Sequence, residues 1–303
     1  MARRFGAVLV WMAVALTVAT TPATSCAAIN EWTSLGPDGG RVDLLAIDPQ
    51  NPTTVYAGSG NAGIFKSTNG GATWVRSGTT HFASALIIDP TTPSTLYAVT
   101  GFGQLSKSTD SGASWRTATS GLPRDEIRAL AIDSKTPNTV YATTYQFGLF
   151  KSTDGAETWI GLGSPGGLVP MGLLAVDQQD PNTLYTSVDS SLGGLFKSID
   201  GGESWSKLSL PGGVASAFAI DPRSGALYSG SGDGVLKSTD GGGSWNTLNS
   251  GPTIRLQSVA VDPQNPDTVY AAWFNIRHTK HESTRMGMRL TPPQELYKAC
   301  ILV

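Results

Sequence analysis

Apolar and polar residues alternate along this chain in short runs, and the runs repeat. In the first unit Val42–Asp48 is mostly apolar and suits a strand buried on both faces; Thr54–Gly58, Gly63–Ser67 and Thr73–Ser77 follow as three shorter strands. An Asp-Pro-x-Asn-Pro turn, a Gly-rich turn and a Ser-x-Asp turn separate them, which is the punctuation of strands rather than helices. The last strand carries Trp74 and has equivalents at Trp115, Trp159, Trp205 and Trp245, spaced by 41, 44, 46 and 40 residues. An upstream motif of the form Ala-Ile-Asp-Pro…Val-Tyr recurs six times, at Asp48, Asp89, Asp133, Asp177, Asp221 and Asp262. Four short strands per unit, repeated radially, predict an all-β fold: a β-propeller of four-stranded blades.

The sixth unit is irregular. Ser258–Asp262 and Thr268–Phe274 supply its first two strands, but no Ser-x-Asp turn follows. Glu31–Leu35, with Trp32, has the pattern of an outer strand and precedes any inner one. The expectation is six blades, the last incomplete and closed by this N-terminal strand, which removes an exposed edge. Residues 276–303 change character, with five Lys/Arg against two Asp/Glu. They form an atypical tail, either disordered or completing the last blade, with Leu296–Val303 apolar enough to be its third strand.

The turn has a mechanical reading. Ser67, Asn69 and Trp74 recur as Ser108, Asp110 and Trp115; Ser152, Asp154 and Trp159; Ser198, Asp200 and Trp205; and Ser238, Asp240 and Trp245. The Asp side chain can accept backbone N–H groups just ahead of it, glycines allow positive φ, and the Trp ring can pack between blades. Asn69 keeps an acceptor oxygen and serves equally. Ala156 stands where glycine is usual, so the third turn is expected to be strained or shifted. Carboxylates placed one per blade cannot share an active site, so these positions read as structural.

Composition agrees with a turn-rich chain: 303 residues with 36 Gly, 18 Pro and only 15% charged. A net charge of −2 and no basic stripe argue against nucleic acid. Residues 1–28 read as a signal peptide: Arg3 and Arg4, an uncharged run over Phe5–Val18 too short to span a membrane, then a cleavage site after Ala27 or Ala28. Export would leave the propeller (29–275) secreted, periplasmic or at the cell surface, with no stable membrane span. Lipidation at Cys26, in Ala23-Thr24-Ser25-Cys26, is the alternative. If Cys26 is removed only Cys300 remains, and no internal disulfide can form. His278-Thr279-Lys280-His281-Glu282 lacks zinc-protease spacing, so no metal and no cofactor are expected.

The Ser-x-Asp-x-Gly-x-x-Trp motif resembles the Asp-box, or BNR repeat, over residues 31 to about 274. That resemblance implies a propeller like those of sialidases, xyloglucan-cleaving glucanases, sortilin-type receptors and photosystem assembly factors. The IDPxNPxTVYAG and GxFKSTDGGxSW segments look most like the bacterial sortilin/xyloglucanase-like group. Sialidases of this kind carry an Arg-Ile-Pro triplet, which is missing. The xyloglucanases place an acid in the turn after the first Tyr-Ala; in the stretch Tyr56–Gly63 glycine or asparagine takes the acid's place, and neither can act as a general acid or base. The expected function is therefore a non-enzymatic binding or scaffold module for a protein or glycan ligand, acting as a monomer. The alternative is a sialidase-like or xyloglucanase-like glycosidase built on loop residues.

A site is expected on the face away from the Ser-x-Asp turns, where loops vary. Its loops offer Arg124, Asp125, Glu126, Tyr145 and Gln146, among others. Arg41 and Arg255 both lie seven residues before the motif Asp, in units that ring closure makes neighbours, and Glu126 holds that place in the third unit. Two arginines at one channel mouth suit a carboxylate or sugar acid; the plainer reading is two solvated loop arginines.

Overall fold

The computed structural model describes residues 42–59, 62–78, 83–101, 103–169, 171–189, 193–213, 215–231, 234–248, 256–262, 265–266, 268–274 and 285–290. They form a β-propeller with five four-stranded antiparallel sheets and a sixth of three strands. Blade one is β1 (Val42–Ile47), β2 (Val55–Ser59), β3 (Gly63–Ser67) and β4 (Val75–Arg76). Blade two is β5 (Ala83–Ile88), β6 (Leu96–Thr100), β7 (Gln104–Ser108) and β8 (Arg116–Thr117). Blade three is β9 (Ile127–Ile132), β10 (Val140–Thr144), β11 (Leu149–Ser152) and β12 (Ile160–Gly163). Blade four is β13 (Met171–Val176), β14 (Leu184–Val188), β15 (Gly194–Ser198) and β16 (Ser206–Lys207). Blade five is β17 (Ala217–Ile220), β18 (Leu227–Ser231), β19 (Gly234–Ser238) and β20 (Asn246–Thr247). Blade six is β21 (Leu256–Val261), β22 (Val269–Phe274) and β23 (Arg285–Leu290). The third strand of that blade is thus Arg285–Leu290, paired from Val269↔Leu290 to Phe274↔Arg285, and not the Leu296–Val303 segment read from sequence. Residues 1–41 and 291–303, including Glu31–Leu35, lie outside the described residues.

The core is not one mass but a series of seams. Each of the five buried apolar clusters joins two consecutive blades: one and two through Leu44, Tyr56, Leu86 and Leu96; two and three through Tyr97, Leu105, Leu130 and Trp159; and so on round to five and six. The inner strands of blades two to five are therefore covered on both faces, which is why they read as nearly continuous apolar runs. Trp115, Trp205 and Trp245 pack at the edges of these seams, and Trp159 is fully within one.

Polar links cross the same seams. Tyr56, Tyr97, Tyr141, Tyr185 and Tyr228 are directly opposite Lys66, Lys107, Lys151, Lys197 and Lys237 on the neighbouring strand. Each ammonium lies 5.2–5.7 Å from its ring centroid. In blades one, two and four the pair bonds the Ser-x-Asp turn of the next blade, and in blade five Tyr228 Oη donates to Pro266 O of blade six. Tyr56 Oη and Lys66 Nζ donate to Ser111 O at 3.1 and 3.3 Å; Tyr97 Oη and Lys107 Nζ donate to Gly155 O at 3.3 and 2.6 Å; Lys197 Nζ donates to Gly241 O at 3.4 Å. In return, Trp115 Nε1 and Trp159 Nε1 donate back to Ser77 O and Ala118 O of the preceding blade. Trp205 Nε1 instead bonds Gly202 O in its own turn. Burial pushes the Tyr56, Tyr97 and Tyr141 hydroxyls up to about 12.

The turn itself works as its residues suggest. Ser108 Oγ donates to Asp110 Oδ1 and accepts from Gly112 N, while Ser114 N and Oγ donate to the two Asp110 oxygens at 2.9 and 2.5 Å. Asp154, Asp200 and Asp240 repeat the pattern. Asn69 accepts from Ser67 Oγ and Thr73 N in the same places. Two successive residues after the Asp adopt positive φ so that the carbonyl clasped by the previous blade points outward. Ser111 (φ 59) and Ala156 (φ 68) do so without being glycine. The third turn is not shifted: Ala156 N still donates to Ser152 Oγ at 2.8 Å, and the strain is held by full burial of the methyl group.

Two outcomes follow. Ser111→Gly removes the left-handed strain without loss of a packed methyl and should stabilise by about 1 kcal/mol, raising Tm by about 2–4 °C in thermal unfolding. Hydrogen bonds from Ser114 and Ser204 hold the Asp110 and Asp200 carboxyls down at about 2, below the usual 3.8 of an aspartate. A depressed carboxyl contributes stability above its unfolded pKa, so urea midpoints should be flat above pH about 4 and fall between pH about 4 and 2. Asp110→Asn, which like Asn69 retains the acceptor, should lessen that fall.

Candidate functional site

The two ends of the blades are chemically different. At one end the Ser-x-Asp turn is bonded to the inner-strand turn of its own blade, as in Gly70 N to Thr53 O (2.8 Å) and Ser111 N to Ser94 O (2.9 Å). Asp48, Asp89 and Asp133 close that inner turn by accepting the N–H groups two and three residues on. Side chains then lace successive blades around the channel: Gln50 Nε2 to Pro90 O and Thr91 O, Lys135 Nζ to Gln179 O, and Gln179 Nε2 to Pro222 O. This end is committed to holding the ring.

At the other end each inner strand carries a bulge. Val42 and Leu44 pair with Ser59 and Gly58, leaving Asp43 extra; the same irregularity leaves out Ser84 in β5, Arg128 in β9 and Gln257 in β21, and adds one residue near Gly172 in β13. In blade five Ser216 N donates to Gly230 O, already opposite Ala217. The bulge reverses the alternation of the strand. Ala83, Ile127, Met171, Ala215 and Leu256 thereby enter the same seams as Leu86, Leu130, Leu174, Phe218 and Val259. A bulge re-aims the side chain of its extra residue, which in blade three is Arg128. The column at this position is Asp43, Ser84, Arg128, Gly172, Ser216 and Gln257: no aliphatic residue occupies it in any blade.

Blade three shows what the column can build. The Arg128 guanidinium lies over the Tyr145 ring, 4.7 Å from its centroid. Its Nε is 3.8 Å from Glu126 Oε1, a charge contact too long for a hydrogen bond. The side chain is 23% exposed, yet Nε is buried without a hydrogen-bond partner. Around it the backbone is tied down. Asp125 Oδ1 accepts Glu126 N and Oδ2 accepts Gln146 N at 2.6 Å; Tyr145 N donates to Glu126 O, and Thr144 N to Gly148 O. Gly103 of blade two touches the same corner: its φ is +85, and a Cβ there would sit 2.7 Å from Glu126 Cα. On this fixed corner Tyr145 is 41% and Phe147 52% exposed.

Of the residues read from sequence, Asp125, Glu126, Tyr145 and Gln146 come together here, Asp125 and Gln146 as buttresses. Arg41 and Arg255 lie outside the described residues. Arg128 was missed because it sits inside an apolar strand. The signal was available in the repeat: a charge in a column that is polar or glycine in every unit. Among the described residues no group of three or more His, Cys, Asp or Glu could hold a metal ion, and no helix is long and apolar enough to cross a membrane.

No family model matches the chain, and no curated protein does. Solved structures match its fold. The GH74 xyloglucanase from Xanthomonas campestris is 19% identical with a TM-score of 0.68, over 86% of this chain and 45% of that one. The extracellular domain of a putative hybrid two-component system from B. thetaiotaomicron is 13% identical at 0.62, over 83% and 33%. YCF48 bound to D1 peptide is 16% identical at 0.50, over 64% and 61%. The chain thus spans less than half the length of the xyloglucanase, and the likeness at these identities is one of fold.

Proposed function

We propose that the chain is an Asp-box propeller, exported through its N-terminal segment, that works as a binding module for a protein or glycan on the face opposite the Ser-x-Asp turns. The observation that carries this is the blade-three corner. Tyr145, Phe147 and Arg128 are residue types that dominate recognition energetics, and they are displayed on a backbone fixed before any ligand arrives. Asp125 spends both oxygens on amides, which commits it to the fold rather than to proton transfer, and Glu126 faces the Arg128 guanidinium. Extracellular and peptide-bound structures among the propellers of similar fold are consistent with a ligand-binding role.

Glycan-array and peptide-array binding, run beside a chromogenic glycoside panel, test the reading. Binding without turnover is expected, weakened about tenfold or more by Tyr145→Ala or Phe147→Ala at unchanged Tm. Glycoside turnover that disappears in Glu126→Gln would establish the glycosidase alternative instead.

A further inference from the structure

Resting on that binding reading, we infer that the blade-three corner is a docking site for an extended protein segment carrying an acidic side chain, and that Glu126 occupies the place of that side chain when the site is empty. Arg128 is the reason. A guanidinium has five N–H donors, and burying one without a partner is costly. Among the described residues the Arg128 side chain donates no hydrogen bond; its Nε is buried, and a loose 3.8 Å contact to Glu126 and the face of Tyr145 are all that offset its charge. A bulge, a stacked Tyr145 and the amides held by Asp125 all fix it in this state. A carboxylate brought in from outside can accept two N–H groups in the fork geometry that Glu126 does not reach.

The surroundings select a peptide. Arg128 covers one face of Tyr145, which leaves less of that ring for stacking on a sugar. Phe147 follows Tyr145 by two residues in the same loop and is 52% exposed. An acidic residue flanked by aliphatic or aromatic ones matches that pairing of charge and apolar surface. Glu126, 58% exposed, is free to swing away.

Arg128 and Glu126 act on the ligand with opposite signs. The probe is a set of fluorescein-labelled decapeptides with a central Glu flanked by Leu or Phe, compared by anisotropy with the same set carrying Gln. The Glu set should bind about tenfold tighter. Arg128→Lys, which keeps the charge but loses the fork and the stack, should erase that preference. Glu126→Gln should tighten Glu-peptide binding about threefold by removing the internal competitor, and leave Tm unchanged as a check on folding. Equal binding of the two sets, indifference to Arg128→Lys, or weaker binding in Glu126→Gln would each overturn the site. Peptide binding that ignores all these variants would sink this site while leaving the binding module intact. Capture of oligogalacturonate through Arg128 with no peptide bound would overturn the peptide ligand, and no binding of peptide or glycan would overturn both readings.

Discussion

The clasp between blades is the interaction on which the rest of this molecule depends. A buried Tyr and its cross-strand Lys in one blade hold the outward carbonyl of the next blade's Ser-x-Asp turn. Small repeating sheets cannot each enclose a core, so stability must come from their interfaces. The apolar clusters confirm where it resides, since each spans two blades. The clasp gives those interfaces direction and register. It also explains the turn: the Asp, the hydroxyls and the two positive-φ residues together present one carbonyl at one angle. Blade three meets the demand with Ala156 in a strained conformation, and there Glu157 adds bonds to both Lys107 and Arg116 of blade two.

Commitment of one end to holding the ring frees the other. The turn end uses its carboxylates, amides and long polar side chains on neighbouring blades. The bulges at the opposite end add an extra residue to the inner strand, a position filled by polar residues or glycine rather than by the apolar residues of the seams. Arg128 uses that freedom, and the loops beside it supply the aromatic surface. A scaffold of this kind can host catalysis or recognition with little change in packing, which is why likeness of fold to a xyloglucanase says little about activity.

Much of this was legible from residues alone. The repeat, the four strands per blade and the turn chemistry follow from local pattern, because strand alternation and turn geometry are local effects. Asn69 accepts from Ser67 Oγ and Thr73 N, the bonds that the aspartates accept in the other turns. The partner of the turn was not legible: Tyr97 and Lys107 meet Gly155 some fifty residues away, through a blade-to-blade contact that no local pattern encodes. Arg128 was hidden for a related reason. Strict alternation assigns it to a seam, and only the bulge, seen in the register of β9 against β10, takes it out. In blade six apolarity points to Leu296–Val303 without requiring it, whereas the strand that pairs with β22 is the more polar Arg285–Leu290.

Native-state hydrogen exchange on Lys107→Met tests the clasp most directly. Lys107 joins Gly155 O and Glu157 across the second seam. Loss of amide protection should appear on both sides of that seam, in β6, β7 and the turn over residues 153–159, with blades four and five keeping theirs. Protection lost in blade two alone, or nowhere, would contradict the claim that the clasp binds one blade to the next.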